Sequence, residues 1–341
     1  MAYAQPTPIL EVRDLHVEFD TMSGLVQGLR GVSFSVMPGE TLALVGESGS
    51  GKSVTAQAVM GLIGLPGSIV SGDILWKGQS LLTPEGQKKA ASLRGKSLSM
   101  VFQDPMTSLN PLMTIGAHLV EVLRRHMKLS KPQAFARGAE LLEAVGITEP
   151  RRRMAQYPHE FSGGMRQRVM IALAIACEPD LLIADEPTTA LDVTIQAQVL
   201  DLLADLQKSM GLSIVLITHD LGIVAGLCER VAVMYAGSIV EAGSAATVFE
   251  QAEHPYTQGL IRSTPRLDDR RDRLVSIEGA PPSLLHPPKG CAFQSRCPVA
   301  SRQCDTKPAR QETPAGGSVS CWTPSLPAWA DVAKTTEVHA R

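Results

Sequence analysis

Apolar and polar residues alternate along the first part of the chain, between residues 10 and 46. Leu15, Val17 and Phe19 are each followed by a polar neighbour. Alternation with a period of two is typical of a half-buried β-strand, so this region is predicted to form strands. A glycine-rich stretch at 46–51 ends the alternation and is predicted to lead into a helix.

The apolar pattern of the second half predicts helices between buried strands. A long apolar segment at 164–177 has the length of a helix, and short apolar runs at 181–184 and 213–217 are typical of buried strands. Between those runs, apolar residues recur at the spacing of a helix face. They are Ile195, Val199, Leu202, Leu203 and Leu206. A hairpin is predicted at 230–241, and the alternation of strands and helices predicts an α/β fold with a mainly parallel sheet.

Composition narrows the class of protein. The chain has 341 residues, 44% of them hydrophobic and 19% charged, so it can build a core and has room for about two domains. A formal net charge of -2 argues against a dedicated nucleic-acid binder. We see no apolar run of the roughly 18 residues that a membrane span needs and no secretory signal at the start. We therefore expect a protein kept in the cytosol.

One motif predicts a phosphate site. Residues 46–53 match the pattern G-x-x-x-x-G-K-[ST], between an apolar strand and a predicted helix. Glycines let backbone N–H groups surround an anion, and the helix N-terminus adds positive potential. Lys52 is predicted to reach the β- and γ-phosphates, and Ser53 to bind Mg²⁺. The alternative is a Gly/Ser-rich turn with an accidental lysine. The predicted nucleotide-binding residues of this loop are Gly46, Glu47, Ser48, Gly49, Ser50, Gly51, Lys52 and Ser53.

Four polar residues follow apolar strands and are candidates for ATP hydrolysis. Asp185 and Glu186 end the strand at 181–184; Asp185 suits Mg²⁺ binding, and Glu186 suits a base that polarises the attacking water. His219 follows the next apolar strand, at the edge where open α/β sheets place ligands, and could hydrogen-bond the γ-phosphate. Gln103 is a candidate contact for Mg²⁺ or water. The alternatives are an acidic turn, a structural histidine and a solvated glutamine.

The segment Ser162-Gly-Gly-Met-Arg-Gln-Arg168 precedes the acidic strand. Together with the loop at 46–53, Gln103, Asp185-Glu186, Ala190-Leu-Asp192 and His219, in this order and spacing, it resembles the ATP-binding cassette (ABC) ATPases over about the first 250 residues. The resemblance implies an α/β P-loop domain at 1–250, with a mixed sheet core and a helical subdomain at about 104–178. A small Cys-rich C-terminal extension at 251–341 would follow.

The ABC resemblance also assigns roles to residues away from the P-loop. It implies a head-to-tail dimer in which Ser162, Gly163 and Gly164 contact the γ-phosphate of ATP held by the partner's P-loop. It implies an aromatic residue stacked on adenine, for which Phe19 is the best-placed match; a core aromatic is an equal alternative. Two positions depart from the family pattern, since Phe161 and Met165 stand where Leu and Gln are usual.

Further segments resemble the ATPase subunits of dipeptide/oligopeptide importers. They are 103–111, 157–159, 161–171, 185–195, 254–257 and the cysteine tail. This resemblance implies an ATPase at the cytoplasmic face of the membrane, docked through Gln103 and the loop to Pro111 on two permease subunits. A paralogous ATPase would complete a heterodimer, in preference to a homodimer, and an extracytoplasmic protein would deliver peptides. The competing hypotheses are a soluble ABC ATPase acting on nucleic acid or ribosomes and a non-hydrolysing regulatory ATP binder.

Four cysteines crowd into a short, proline-rich segment, at Cys291, Cys297, Cys304 and Cys321. Such a segment has little core to order it, and in a reducing compartment a metal is the natural staple. Four thiolates suit Zn²⁺ or an iron–sulfur cluster, and the absence of paired C-x₂-C knuckles favours the cluster. The importer resemblance implies [4Fe–4S]. Unligated cysteines or a disulfide are the alternative.

Overall fold

The computed structural model describes residues 7–189, 191–264 and 276–324. The chain divides into two compact units. The first consists of Met1–Glu11, Ser35–Thr41 and Leu75–Ile217, and the second of Val12–Phe34, Leu42–Ile74 and Thr218–Arg341.

Strands and helices are present in both units. The strands are β1 (Leu10–Thr21), β2 (Gly24–Val36), β3 (Thr41–Val45), β4 (Gly67–Trp76), β5 (Gln79–Ser80), β6 (Leu98–Val101), β7 (Leu181–Asp185), β8 (Ser213–Thr218), β9 (Arg230–Tyr235), β10 (Ser238–Ser244), β11 (Gln311–Glu312) and β12 (Ser318–Val319). The helices are α1 (Lys52–Val59), α2 (Pro84–Leu93), α3 (Pro105–Ser108), α4 (Ile115–Met127), α5 (Lys131–Ala144), α6 (Pro150–Arg153), α7 (Gly163–Ile175), α8 (Val193–Met210), α9 (Leu221–Leu227), α10 (Ala245–Glu250) and α11 (Pro255–Ser263). Short 3₁₀ turns lie at Pro158–Glu160, Gln294–Arg296 and Arg302–Asp305.

The first unit contains a parallel arrangement of strands in the order β8-β7-β6. Leu98 of β6 lies opposite Leu181 of β7, and Asp185 at the end of β7 lies opposite Ile217 of β8. Every residue of the three strands is buried, as in parallel sheets that are covered on both faces. The predicted strands at 181–184 and 213–217 are therefore confirmed, and the register brings Asp185 to the carboxyl end of the sheet.

The two long helices on either side of β7 are α7 and α8. The carboxylate of Asp192 accepts the N–H of Ile195 at 3.0 Å and caps the start of α8. Gly211 ends α8 in a left-handed conformation with φ of +64°, which glycine adopts without steric cost. The long apolar helix expected at 164–177 is α7, and it packs against α8.

Between β6 and β7 the described residues form helices, turns and loops. The helix α4 packs against α5, and α7 packs against both. The side chain of Thr114 caps α4 by accepting the N–H of Ala117 at 3.1 Å. These helices occupy the part of the chain for which the sequence predicts a helical subdomain; its limits and the boundary near residue 250 stay predictions.

In the second unit, strands lie in the order β11-β12-β10-β9-β3. The pairing of β3 with β9 is parallel, and that of β9 with β10 is antiparallel, so the strand pairing is mixed and the predicted hairpin is confirmed. The short strands β11 and β12 extend β10, with Val319 opposite Glu241. No sequence pattern predicts these two strands, because each has only two residues and no periodicity.

A separate sheet has the order β2-β1-β4-β5. Along β1 the buried positions alternate as predicted, but the alternation shifts by one residue between Val12 and Leu15. Asp14 has φ of +42° there, as expected for a bulge that re-aims the following side chains.

Among the helices of the described residues, none combines the length and the apolar character needed to cross a bilayer.

Candidate functional site

The loop between β3 and α1 has the shape of a phosphate cradle. Its backbone makes close approaches that need glycine. A Cβ on Gly46 would lie 2.2 Å from the carbonyl oxygen of Met234. Gly51 has φ of +105°, and a Cβ there would lie 3.0 Å from the carbonyl oxygen of Gly28. A side chain at either position would therefore distort the loop.

Lys52 and Ser50 turn their polar atoms into this loop. Lys52 is 5% exposed, and its Nζ donates to the carbonyl oxygens of Gly46 at 2.8 Å and Glu47 at 3.0 Å. The hydroxyl of Ser50 is buried and has no hydrogen-bond partner. A buried donor without an acceptor costs free energy, and a phosphate oxygen would supply one. The residues present therefore fit a phosphate ligand. Ser53, the second residue of α1, is half-buried.

Glu186 is held in a defined position by its neighbours in the first unit. Its φ is +45°, and its N–H donates to the carbonyl oxygen of Ile217 at 2.9 Å. Gln103 Nε2 donates to the carboxylate at 3.0 Å, and Thr189 Oγ1 donates to the same oxygen at 2.9 Å. The structure thus brings together Gln103 and Glu186, which the sequence predicts as two separate site residues. Thr189 is not predicted from the sequence, because it belongs to no motif that would mark it.

Asp185 and His219 lie at the ends of neighbouring strands. Asp185 is buried as the last residue of β7. His219 follows Thr218, the end of β8, and its side chain is exposed. Their assigned roles stay predictions.

The segment that carries the ABC resemblance forms the start of α7. Ser162 caps the helix, its hydroxyl accepting the N–H of Met165 at 3.4 Å, and both Ser162 and Gly163 are exposed. A Cβ on Gly164 would lie 2.5 Å from Cγ2 of Ile195 in α8. Phe161, which replaces the usual leucine, is buried beneath the guanidinium of Arg153 at 5.8 Å, so the departure keeps an apolar core position. Ala190 lies outside the described residues.

Phe19 is half-buried on β1. Its ring lies so close to Gly28 and Gly67 that a Cβ on either glycine would come within 2.7 Å of it. Adenine stacking by this ring stays a prediction.

The four tail cysteines do not form the expected metal site. Within the described residues, no group of three or more His, Cys, Asp or Glu side chains is placed to hold a metal ion, and the cysteines are free. The prediction of an iron–sulfur cluster, or of Zn²⁺ in its place, at Cys291, Cys297, Cys304 and Cys321 is therefore wrong. Burial raises the pKa of Cys297 to about 12 and raises the pKa values of Cys291 and Cys321.

Other contacts order the cysteine segment. Phe293 is 1% exposed and lies against Tyr235 and Tyr256, with ring centroids 5.3 and 5.4 Å apart. Arg296 forms an ion pair with Glu47, and β12 joins the sheet. Buried aromatic packing and the ion pair therefore hold this segment in place of the expected metal.

Arg296 and Tyr256 contact the phosphate loop, and sequence reasoning misses both. The two terminal nitrogens of Arg296 donate to the two carboxylate oxygens of Glu47, at 2.7 and 3.0 Å. The hydroxyl of Tyr256 accepts the N–H of Glu47 at 2.8 Å. Glu47 and Arg296 are 249 residues apart, so no local pattern could pair them.

Comparisons with known proteins cover nearly the whole chain. The sequence matches the ABC transporter family at residues 29–189 and the oligopeptide/dipeptide transporter C-terminal region at 240–304. It is 51% identical to the dipeptide transport ATP-binding protein DppD of Bacillus subtilis (strain 168), over 92% of this chain and 94% of that protein. It is 50% identical to the oligopeptide transport ATP-binding protein OppD of Escherichia coli (strain K12), over 95% and 96%.

Solved structures with a similar fold are ATP-binding cassettes. One is cbiO1 from Clostridium perfringens, part of the ABC transporter complex cbiONQ, with a TM-score of 0.60 and 30% identity over 71% of this chain and 91% of that one. Another is the cassette MJ0796 in a dimeric post-hydrolysis state bound to ADP and Pi, with a TM-score of 0.62 and 24% identity over 69% and 98%. The second likeness concerns the fold alone.

Proposed function

The chain belongs to the ATP-binding subunits of the oligopeptide/dipeptide ABC transporters, and we propose that it hydrolyses ATP to power peptide import. Its fold is the α/β cassette of that family. The observation that carries the proposal is the loop at 46–53, where a buried lysine and an unpartnered buried hydroxyl line a glycine cradle. The likeness to peptide transport ATPases extends through the C-terminal region.

Hydrolysis would use Lys52, Glu186 and His219. Lys52 exchanges its carbonyl partners for phosphate oxygens when ATP binds. Glu186, held by Gln103 and Thr189, takes a proton from the attacking water. His219 contacts the γ-phosphate at the strand edge.

Ser53, Gln103 and Asp185 are the proposed ligands of Mg²⁺. The oxygen donors of a hydroxyl, an amide and a carboxylate suit that cation. When bound, Mg²⁺ neutralises charge on the β- and γ-phosphate oxygens.

A second cassette completes the proposed site. Ser162 and Gly163 are exposed at the start of α7, where the N–H groups of a helix N-terminus favour an anion. We propose that they, with Gly164, contact the γ-phosphate of ATP bound by a partner cassette. ATP would join the two cassettes and hydrolysis would release them. The proposed partner is a paralogous ATPase rather than a second copy of this chain.

The proposed membrane partners are two permease subunits, with an extracytoplasmic peptide-binding protein completing the importer. The chain would then lie at the cytoplasmic face of the membrane. The segment around Gln103 supports this placement, because Phe102 before it and Leu112 after it expose 41% and 86% of their surface. Large exposed apolar side chains favour a protein partner. We also propose a cassette domain at 1–250 and a C-terminal extension at 251–341.

Replacing the base tests this function. Glu186→Gln keeps the hydrogen-bonding shape but removes the proton acceptor. We expect ATP hydrolysis to fall by about 10²-fold or more, while ATP binding persists. A cell that carries only this variant should lose peptide uptake. The control is Glu85→Gln, an exposed position at the start of α2, which should leave both activities unchanged.

Four results would contradict the proposal. Unchanged turnover in Glu186→Gln would remove the residue from the base role. A complete transporter complex that binds ATP without turnover would favour a non-hydrolysing regulator. Normal peptide uptake in a host without this chain would remove the transport function. Salt-dependent binding of DNA or RNA would revive a nucleic-acid ATPase, which the net charge of -2 disfavours.

A further inference from the structure

The phosphate loop carries its own acidic residue. Glu47 is the second residue of the motif, next to Gly46, and its carbonyl oxygen accepts a hydrogen bond from Lys52 at 3.0 Å. A carboxylate in this loop repels the triphosphate of ATP unless its charge is compensated. ATP binding therefore requires a positive charge that compensates the carboxylate of Glu47.

Arg296 supplies a matching charge from the C-terminal region. It forms a two-pronged ion pair with Glu47, with N···O distances of 2.7 and 3.0 Å. The side chain of Arg296 is 4% exposed and that of Glu47 26%. Paired geometry of this kind is among the stronger charge-assisted interactions, and solvent screens it little at such burial.

The guanidinium of Arg296 is fixed on its remaining sides. Nε donates to the carbonyl oxygen of Glu278 at 2.9 Å, and Nη2 donates to that of Ile277 at 3.2 Å. The rings of Tyr235 and Phe293 lie 5.8 and 5.9 Å from its central carbon. Because these contacts already restrain the side chain of Arg296, it loses little further conformational entropy when it pairs with a carboxylate.

The backbone of Glu47 is held as well. Its N–H donates to the hydroxyl of Tyr256 at 2.8 Å, and the Tyr256 ring packs against Tyr235 with centroids 4.5 Å apart. Glu47 is thus fastened at both its backbone and its side chain by residues that come after position 250.

We propose that Arg296 is a positioning residue for the ATP site, which holds the Glu47 carboxylate and neutralises its charge so that the loop can accept a triphosphate. This inference rests on the proposed function, since it requires that the loop bind ATP. Through Arg296, the C-terminal region would contribute to nucleotide binding, and the segment between Cys291 and Cys297 would set the affinity of the loop for ATP.

The test combines substitutions at both ends of the ion pair, with kinetics measured on the assembled transporter complex and ATP binding measured on the purified full-length chain. In Arg296→Gln, an uncompensated carboxylate remains at the loop, and we expect KM for ATP to rise about tenfold, which corresponds to about 1.4 kcal/mol. The value of kcat should change by less than about twofold, because Arg296 does not touch the reacting atoms. Calorimetric titration should show the same loss in ATP affinity.

The second substitution separates charge compensation from folding. In Arg296→Gln with Glu47→Gln, the repelling carboxylate is gone, so KM should return to within about threefold of wild type. Arg296→Lys keeps the positive charge but cannot contact both carboxylate oxygens of Glu47 with two nitrogens, so its KM for ATP should lie between those of wild type and Arg296→Gln. If Arg296→Gln does not fold, the comparison of Arg296→Lys with wild type tests the proposal instead. Arg302→Gln, an exposed arginine of the same region, is the matched control and should leave KM unchanged.

Each outcome decides between defined alternatives. Equal KM values for wild type and Arg296→Gln would overturn the role of Arg296 while leaving the proposed function intact. A double variant no better than Arg296→Gln would also overturn it, since that result indicates a purely structural contact. A wild-type chain that binds no ATP would contradict the proposed function itself.

Discussion

At the scale of single residues, burial shifts the pKa values of His254 and Glu241 near the start of α11. His254 is 1% exposed, and its Nδ1 accepts the N–H of Tyr256 at 3.0 Å, which caps α11. Burial lowers the pKa of His254 to about 3. The carboxylate of Glu241 accepts the N–H of His254 at 3.0 Å, and burial raises the pKa of Glu241. The imidazole is therefore a neutral structural acceptor at physiological pH.

His254 makes stability depend on pH. Its pKa is about 3 in the folded chain and about 6.5 in the unfolded chain. Between these values the unfolded state binds a proton that the folded state excludes, so the free energy of unfolding falls as pH falls, by about 1.4 kcal/mol per pH unit. His254→Asn keeps a capping acceptor but does not titrate. We expect urea denaturation to show that the free energy of unfolding of wild type falls between pH 6 and pH 5 by about 1.4 kcal/mol more than that of the variant.

Glu241 is present in both proteins, so the difference between them isolates the imidazole. His286→Asn is the control, because His286 is exposed, and it should follow wild type. Equal pH slopes for wild type and His254→Asn would show that His254 is not buried in its neutral form.

At the scale of elements, the start of α7 shows how packing and a predicted ligand contact share one glycine. Gly164 lies where a Cβ would come within 2.5 Å of Ile195 Cγ2 on α8, whereas a Cβ on Gly163 would lie 3.7 Å from its nearest neighbour, Leu191. The same short segment therefore contains one glycine that packing requires and one that packing does not. The resemblance alone assigns both to phosphate binding.

Alanine substitutions at these two glycines should differ in stability. Gly164→Ala overpacks the contact with α8, and we expect the free energy of unfolding to fall by about 1–3 kcal/mol. Gly163→Ala meets only ordinary contact distances and should be neutral or slightly stabilising. Denaturant titration of the two variants provides the measurement. Adding Ile195→Ala to Gly164→Ala removes the methyl group that clashes with the new Cβ. The double variant should therefore lose less free energy of unfolding than the two single variants lose in sum. Equal stability of Gly163→Ala and Gly164→Ala would contradict the packing argument.

At the scale of the whole molecule, the predicted ATP-site residues are distributed over both compact units. The loop at 46–53 and His219 belong to the second unit, and Gln103, Ser162 and Glu186 belong to the first. A ligand that binds only the folded chain stabilises that chain as a whole. Nucleotide binding should therefore be visible in global unfolding.

Mg²⁺ and ATP should raise the stability of the full chain. At an ATP concentration of about 100 times Kd, the free energy of unfolding should increase by about 2.7 kcal/mol, and Tm should keep rising with the logarithm of ATP concentration. Lys52→Ala removes the buried ammonium of the loop and should abolish this gain. Lys88→Ala, exposed on α2, is the matched control and should retain it. If the Tm of wild type does not change with ATP concentration, the result would contradict ATP binding by this chain.

The sequence by itself determined the features that depend on neighbouring residues. The apolar runs of β7 and β8, the helical spacing of apolar residues in α8, the cap at Asp192 and the stop at Gly211 all depend on residues within a few positions of one another. The phosphate motif is also local, because its glycines, lysine and serine lie within eight consecutive positions, 46–53.

The tertiary structure alone decided which distant residues meet. It joined Arg296 to Glu47 across 249 positions, placed Gln103 on Glu186, and buried His254 until its pKa fell. It also showed that, within the described residues, the cysteines at 291–321 are not placed to hold a metal ion, and that aromatic packing and an ion pair contact their segment instead. Such contacts depend on the path of the whole chain, and burial depends on what that path brings together, so neither can be read from spacing.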